Sequence, residues 1–236
     1  MIIVNADDFG YSPSVNEAIN ECFLQKIISS TTIMMNMPFA ESGVDLARSN
    51  GYSEKIGLHF NIIEGKPLSY TIKKCRRLCD SEGNFIYKRN SVWHWKNVEK
   101  EAIREEFQAQ LNALLKLGIT PTHVDSHQHV HTELPVYLIL KKCLKSNKIP
   151  ALRISRNLGV RSRNLPYKYI VNSFMKWDGF HVTDLMQEYG AFNVDNIDKK
   201  VELMCHPILK EGRIVDSVVG TIIQRKFDNL ISYRDL

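Results

Sequence analysis

Residues 2–10 read Ile2-Ile3-Val4-Asn5-Ala6-Asp7-Asp8-Phe9-Gly10, and this stretch decides the fold. A short apolar run rich in β-branched residues predicts a buried strand of a parallel sheet. The run gives way to Asp-Asp-Phe-Gly, not to a glycine-rich phosphate loop, which counts against a dinucleotide site of the Rossmann kind. Ser12-Pro13 then opens a helix: serine caps it and proline fits its first turn. Val15, Ala18, Ile19, Cys22 and Phe23 recur at helical spacing behind that start. The same alternation runs on. Strands are expected at 28–37, 56–62, 122–127, 151–155 and 202–206. Helices are expected at 40–48, from Asn97 to the stop at Gly118, from Pro135, and over 167–175. In the helix after Asn97, Ile103, Phe107, Leu111, Leu114 and Leu115 form the expected buried stripe. Strand–helix alternation on this scale implies an α/β fold with right-handed crossovers. A closed or distorted parallel (β/α) barrel is favoured over an open doubly wound sheet.

One stretch breaks the rhythm. Residues 63–95 hold Gly65, Pro67, Gly83, two tryptophans and the basic run Lys73, Lys74, Arg76, Arg77. Its length without periodicity predicts a loop or lid, and the basic run reads as a solvated face. Residues 156–197 show no clear pattern beyond the helix at 167–175. No repeat or low-complexity tract is present, so residues 1–236 are expected to form a single domain.

Bulk properties narrow the function classes. Of 236 residues 24% are charged and 44% hydrophobic, and the net charge is +5. That is ordinary for a globular protein and lacks the basic stripe of a nucleic-acid binder. Neither a membrane span nor a signal peptide is recognisable. Five scattered cysteines without a C-x-x-C pair indicate neither a zinc ribbon nor a disulfide framework. A reduced, cytoplasmic setting is the expectation.

Parallel β/α folds build their sites at the carboxyl ends of the strands, and four segments place acids or imidazoles there. Asp7 and Asp8 are adjacent carboxylates that a regular strand would point to opposite faces. Both reach one site if the strand ends there, and Gly10 permits that turn. Close carboxylates repel unless a cation or shared proton relieves them; a metal held by one leaves the other free as a base. The competing reading is a helix cap. In Gly57-Leu58-His59-Phe60-Asn61, His59 taken alone reads better as a satisfied core histidine. The densest signal is His123-Val124-Asp125-Ser126-His127-Gln128-His129-Val130-His131, with four of the chain's eight histidines. His123, Asp125 and His127 share one face of an extended strand and are ligand types for a divalent metal. His129 and His131 lie past the strand end, where contacts to ligands or substrate suit them. Leu203-Met204-Cys205-His206-Pro207 places His206 at a strand end, with Cys205 facing away as a small buried hydrophobe. Arg153 is a charge inside the apolar run Ala151-Leu152-Arg153-Ile154-Ser155. If buried it needs an anion: Asp7, Asp125 or a substrate.

Together these segments resemble the YdjC-like carbohydrate deacetylases, which include chitooligosaccharide deacetylases. The matching stretches are NADDFG at 5–10, SSTT at 29–32, GLHFNI at 57–62, GKPLS at 65–69, PTHVDSHQHVH at 121–131, LRIS at 152–155 and MCHP at 204–207, in the family's order. The resemblance implies a distorted β/α barrel akin to the NodB-type deacetylases, acting on N-acetylated mono- or oligosaccharides. It implies one divalent metal held by Asp8, His59 and His127, with Asp7 as general base and His206 as acid. Asp125, Arg153, His129 and His131 fall to supporting or substrate roles. Magnesium and a homodimer come with the family; two nitrogen ligands suit zinc or another transition metal equally. The family continues beyond the segment matching Leu230-Ile231-Ser232, so a shortened end to the barrel is expected here. Two other readings stand beside this one. A phosphoesterase on the same fold would need a second metal or a cationic phosphate clamp, for which Arg153 is the candidate. A non-catalytic sugar- or metal-binding relative would keep the fold alone.

Overall fold

The computed structural model describes residues 1–159, 162–191 and 198–236. Six strands form one parallel sheet: β1 (Ile2–Phe9), β2 (Ser30–Ile33), β3 (Ile56–Phe60), β4 (Val124–Ser126), β5 (Leu185–Glu188) and β6 (Val201–Cys205), in the order β4-β3-β2-β1-β6-β5. The sheet curls toward a barrel. Its open side is bridged by residues 151–158, which bond β4 on one flank and the β5 region on the other. Val124 N donates to the Ala151 carbonyl at 3.1 Å, Leu152 N to that of His181 at 3.0 Å, and Leu158 N to that of Met186 at 3.3 Å. The expected distorted (β/α) barrel is therefore present, with one irregular stave.

The local causes are those of the sequence. α1 (Pro13–Leu24) starts on Ser12, whose hydroxyl accepts from Val15 N at 3.3 Å. α2 (Ala40–Ser49), α3 (Asn97–Lys116), α4 (Leu134–Ser146) and α5 (Leu165–Trp177) complete the helical layer. α3 buries Ile103, Phe107, Leu111 and Leu114, with Phe107 edge-on to Phe60 of β3 at 5.5 Å. An edge-to-face pair of this kind adds about 0.5–1.5 kcal/mol to the burial itself. Gly118, at φ +71°, ends that helix as expected.

Several boundaries differ from expectation. Leu115 is exposed rather than part of the α3 stripe, because it lies one residue round from Leu114. The cap is Lys96, not Asn97; its N–H is taken by Glu99 at 2.8 Å. The strand expected at 28–37 shortens to four residues, since the chain turns after Met34. Residues 151–155 make isolated bridges rather than a strand. Within 156–197, α5 and β5 fall inside the described residues and 160–161 and 192–197 fall outside them.

Residues 63–95 are packed down. Ile72, Leu78, Phe85, Tyr87 and Trp95 are buried in the main core, and Glu106 of α3 accepts from Leu68 N and Ser69 N. Arg77 of the basic run pairs with Glu99 and lies over the Trp95 ring. Trp93, by contrast, is 81% exposed. After β6 the chain forms a two-stranded antiparallel hairpin, β7 (Pro207–Lys210) and β8 (Arg213–Asp216). Its tight turn uses Glu211 and Gly212, both at positive φ. The tail then returns beneath β1, where Ile231 N donates to the Ile2 carbonyl at 2.9 Å. No helix among the described residues is long and apolar enough to cross a membrane.

Candidate active site at the carboxyl ends of the strands

β1 delivers two consecutive carboxylates to one cleft, and it does so by breaking its own alternation. The register against β2 shifts between Ala6 and Phe9, and Asp8 has φ +65°. A bulge of this kind re-aims one side chain. The sequence predicts the break at a strand end made by Gly10; the strand instead continues to Phe9, and the break is at Asp8 itself.

His59 of β3 and Asp125 of β4 are register partners. His59 Nδ1 lies 2.7 Å from Asp125 Oδ1, and Nε2 lies 3.2 Å from Asp8 Oδ1. The imidazole is thus gripped at Nδ1 and aimed at Asp8 with Nε2. Burial disfavours the charged ring, but Asp125 and Asp8 outweigh it and push its pKa up to about 10. Thr32 of β2 braces the pair, its hydroxyl 3.0 Å from Asp125 Oδ2 and 3.1 Å from His59 Nδ1.

His127 is not on the strand with Asp125. β4 ends at Ser126, and the chain then passes through two left-handed residues, Gln128 (φ +49°) and His129 (φ +57°). That kink brings His127 Nδ1 to 2.9 Å from Asp8 Oδ1. Burial alone would raise the Asp8 pKa; hydrogen bonds from the His127 and His59 rings hold it well below the usual range. Asp8, His59 and His127 each offer a ligand atom, all within 4.8 Å of one another. One carboxylate oxygen with two imidazole nitrogens is a donor set fitted to a divalent cation.

Asp7, His59 and Asp125 also converge, but a cation is already in place there. Arg153 is fully buried and donates to Asp7 through Nη1 at 2.6 Å and Nη2 at 2.7 Å. Its Nη1 lies 2.6 Å from Asp125 Oδ2, and its Nε donates to Glu202 at 2.7 Å. Burial works against that charge, but the three carboxylates hold it firmly protonated. Burial raises the Glu202 pKa, and Tyr233 of the tail donates a short hydrogen bond to it.

His206 comes directly after β6. Its Nε2 is 3.9 Å from Asp7 Oδ2 and its Nδ1 is 3.8 Å from Asp216 Oδ1, while its backbone N donates to Asp216 Oδ2 at 2.9 Å. Burial opposes the imidazolium; Asp216 with the more distant Asp7 and Asp8 prevails and raises the pKa.

The other histidines divide. His131 is buried, bonded to Ser126 Oγ at 2.5 Å and to the Arg153 carbonyl at 2.9 Å, so it fixes backbone and touches no cleft. Burial lowers its pKa to about 4. His123 is also buried, stacked 3.5 Å from the Tyr233 ring, and burial lowers its pKa to about 3. His129 lines the cleft, kept neutral by burial and then by Arg153 and Arg89; its buried Nδ1 has no partner among the described residues. Cys205 is fully buried and donates to the Asn5 carbonyl.

The cleft holds about 400 Å³ and is lined by Asp7, Asp8, His59, His127, His129 and His206 among others. A cavity of about 560 Å³ lies at the other ends of the strands, near Thr120, Ile149, Tyr233 and Leu236. It gathers no acid–imidazole cluster.

Sequence reasoning missed three participants. Glu202 carries the same signal as Arg153, a charge within an apolar strand. Asp216 comes back beside His206 only through the β7–β8 hairpin, a pairing that nothing at position 216 announces. Glu64, on the irregular segment, accepts from Tyr11 at 2.7 Å and lies 3.3 Å from His127 Nε2.

The chain and its fold both have known relatives. A carbohydrate deacetylase of Clostridium beijerinckii is 34% identical over 219 residues, covering 92% of this chain and 84% of that protein. One from Geobacillus stearothermophilus is 33% identical, with 87% and 78% covered. A solved structure from Enterococcus faecalis V583, named for cellobiose-phosphate cleavage, superposes with a TM-score of 0.70 at 24% identity over 89% of this chain and 82% of that one, a likeness of fold. The family model described as YdjC-like protein matches residues 1–227, and the chain belongs to that family.

Proposed function

We propose that the protein is a metal-dependent hydrolase that removes acetyl groups from N-acetylated carbohydrates. The relatives' shared name supplies the substrate class. The observation that carries the chemistry is two braced acid–base groups beside one ligand triad: Asp7 gripped by Arg153, and His206 backed by Asp216. The whole chain acts as one domain, with residues 63–95 walling the cleft through Arg89 and holding Glu64 beside His127. A homodimer belongs to the same proposal and rests on the family resemblance, while a cytoplasmic setting rests on the five scattered cysteines.

Asp8, His59 and His127 would hold a divalent cation, magnesium or a transition ion. Such an ion, when bound, acidifies water and polarises a carbonyl. The protein's own groups do the rest. Asp7, its carboxylate fixed by the bidentate Arg153 fork, takes a proton from water as the oxygen attacks the acetamide carbon. The C–N bond breaks, and the His206 imidazolium gives its proton to the departing sugar amine. Acetate and a free amino sugar result. Asp125 holds His59 by Nδ1 and so keeps Nε2 directed at Asp8. His129 offers a neutral ring to the substrate.

The phosphoesterase reading loses its clamp. Arg153 is buried and engaged by three carboxylates, and the second acid–imidazole group is filled by that same guanidinium.

The test is acetate release from N,N′-diacetylchitobiose and other N-acetylated sugars, using metal-stripped protein re-supplied with magnesium, zinc, cobalt or manganese. Asp7→Asn should lose turnover by a factor of about 10³ or more while still binding cobalt. Full turnover in that variant would sink the assignment.

A further inference from the structure

The tail that returns beneath the sheet carries one polar group into the barrel. Its backbone docks on β1: Ile2 N donates to the Asn229 carbonyl at 3.1 Å, and Ile231 N to the Ile2 carbonyl at 2.9 Å. Tyr233 then enters from below. Its ring is buried against Ile3 and Ala151 and stacked on His123. A phenylalanine would fill that place as well, so packing does not account for the hydroxyl. The hydroxyl donates to Glu202 Oε2. Burial, then the Glu202 charge, raise the Tyr233 pKa well above the ordinary tyrosine value, and the group stays a donor.

Glu202 divides its oxygens between two partners. Oε2 accepts from Tyr233, and Oε1 accepts from Arg153 Nε at 2.7 Å. Glu202 is in register with Ile3, four residues below Asp7 and about 13 Å from it along the strand. The Glu202 and Arg153 side chains span that gap. A guanidinium is a rigid plane. With Nε tied to Glu202, the plane cannot turn about its Cδ–Nε bond without losing that hydrogen bond. Nη1 and Nη2 therefore stay square to the Asp7 carboxylate, at 2.6 and 2.7 Å. Asp125 steadies the Nη1 side and Glu202 the Nε side. Were Glu202 Oε2 left bare in the core, this hold would loosen, because a buried carboxylate short of a partner rotates toward one or takes up a proton.

We propose that Tyr233 and Glu202 are positioning residues for the reaction: the tail hydroxyl fixes the Glu202 carboxylate, which holds Arg153 at Nε and so sets the geometry in which the guanidinium presents Asp7 to the attacking water. The role of Asp7 rests on the deacetylase reading; the chain of contacts beneath it does not.

Tyr233→Phe keeps the ring and its stack and removes only the hydroxyl. In the metal-loaded enzyme, kcat for acetate release from N,N′-diacetylchitobiose should fall about 10-fold with KM and cobalt affinity unchanged, the pattern of a misaligned base. Ile231→Ala trims a partly buried side chain of the same tail without touching Glu202; it should lower Tm and leave kcat as it is. A wild-type kcat in Tyr233→Phe, or an equal loss in Ile231→Ala, overturns the proposal, since the tail would then serve packing only. Glu202→Gln keeps an acceptor for Arg153 Nε and should retain more of kcat than Glu202→Met; equal kcat in the two removes Glu202 from the role. Should wild type deacetylate no sugar, the deacetylase reading fails and nitrogen-15 NMR still decides the contact chain. The Arg153 Nε–H, bonded to a buried carboxylate, should give a slowly exchanging signal at neutral pH that exchanges about 10-fold faster in Tyr233→Phe. An unchanged exchange rate refutes the coupling.

Discussion

Replacing Arg153 by methionine should expose how the barrel interior is held together. Arg153 is fully buried, and its three nitrogens reach Asp7, Asp125 and Glu202 at 2.6–2.7 Å. Methionine matches much of its length but none of its charge. Three carboxylates would then stand in the core without their cation, and removing one partner of a buried ion pair costs about 3–5 kcal/mol. For a chain of this size that corresponds to a fall of roughly 6–20 °C in Tm. The pH dependence has a definite sign. In the wild type the Asp125 carboxyl is depressed by Arg153 and His59 against the opposing effect of burial. Its stabilising contribution is therefore complete above the unfolded carboxylate pKa of about 4 and lost only as pH falls below it. In the variant, burial acts without the cation and raises the carboxyl pKa values. The folded state then takes up protons more readily than the unfolded one, so the deficit should narrow as pH falls from 7.5 to 5. Urea unfolding of both proteins at the two pH values measures this. A loss below about 1 kcal/mol at pH 7.5, or a deficit that widens on acidification, would refute the reasoning.

Two further outcomes are expected. Asp216→Asn leaves the ligand triad untouched but removes the charge that backs His206, so kcat for acetate release should fall about 10–100-fold with cobalt affinity unchanged; an unaltered kcat would remove His206 from the acid role. Gly57→Ala should destabilise by about 1–3 kcal/mol in thermal or urea unfolding, because a Cβ there would stand 2.5 Å from the His123 ring and 2.8 Å from its backbone oxygen; a stability within about 0.5 kcal/mol, as at an ordinary surface site, would mean that the His123–Tyr233 stack yields easily.

Much of this molecule is legible in one dimension because its strands are buried on both faces. Ile2-Ile3-Val4 and Leu203-Met204-Cys205 read as strands for that reason, and the charges that interrupt such runs mark the site. Arg153 is legible by this logic: a buried guanidinium needs anions, and it finds the expected Asp7 and Asp125 together with Glu202. What the sequence conceals is geometry made by backbone irregularity. The bulge at Asp8 and the left-handed pair Gln128–His129 decide which side chains meet, and neither has a periodic signature. The alternation of the segment predicts His127 on an extended strand; a kink delivers it instead. Asp216 and Tyr233 meet the site from a hairpin and a tail, where contact depends on tertiary return of the chain.

The backbone at Asp8 also limits how the proposed metal site could be re-engineered. A residue at φ +65° is tolerated by glycine and, among side chains with a donor, chiefly by aspartate, asparagine and histidine. Glutamate or cysteine at position 8 would incur about 1–3 kcal/mol of strain before any donor atom met a cation. A library that seeks altered metal preference at this position would thus be filtered by conformation first and by coordination second. Positions 59 and 127 lie outside the left-handed region and carry no such filter. Retuning of ion selectivity is accordingly most accessible through the imidazoles, with the first strand left as it stands.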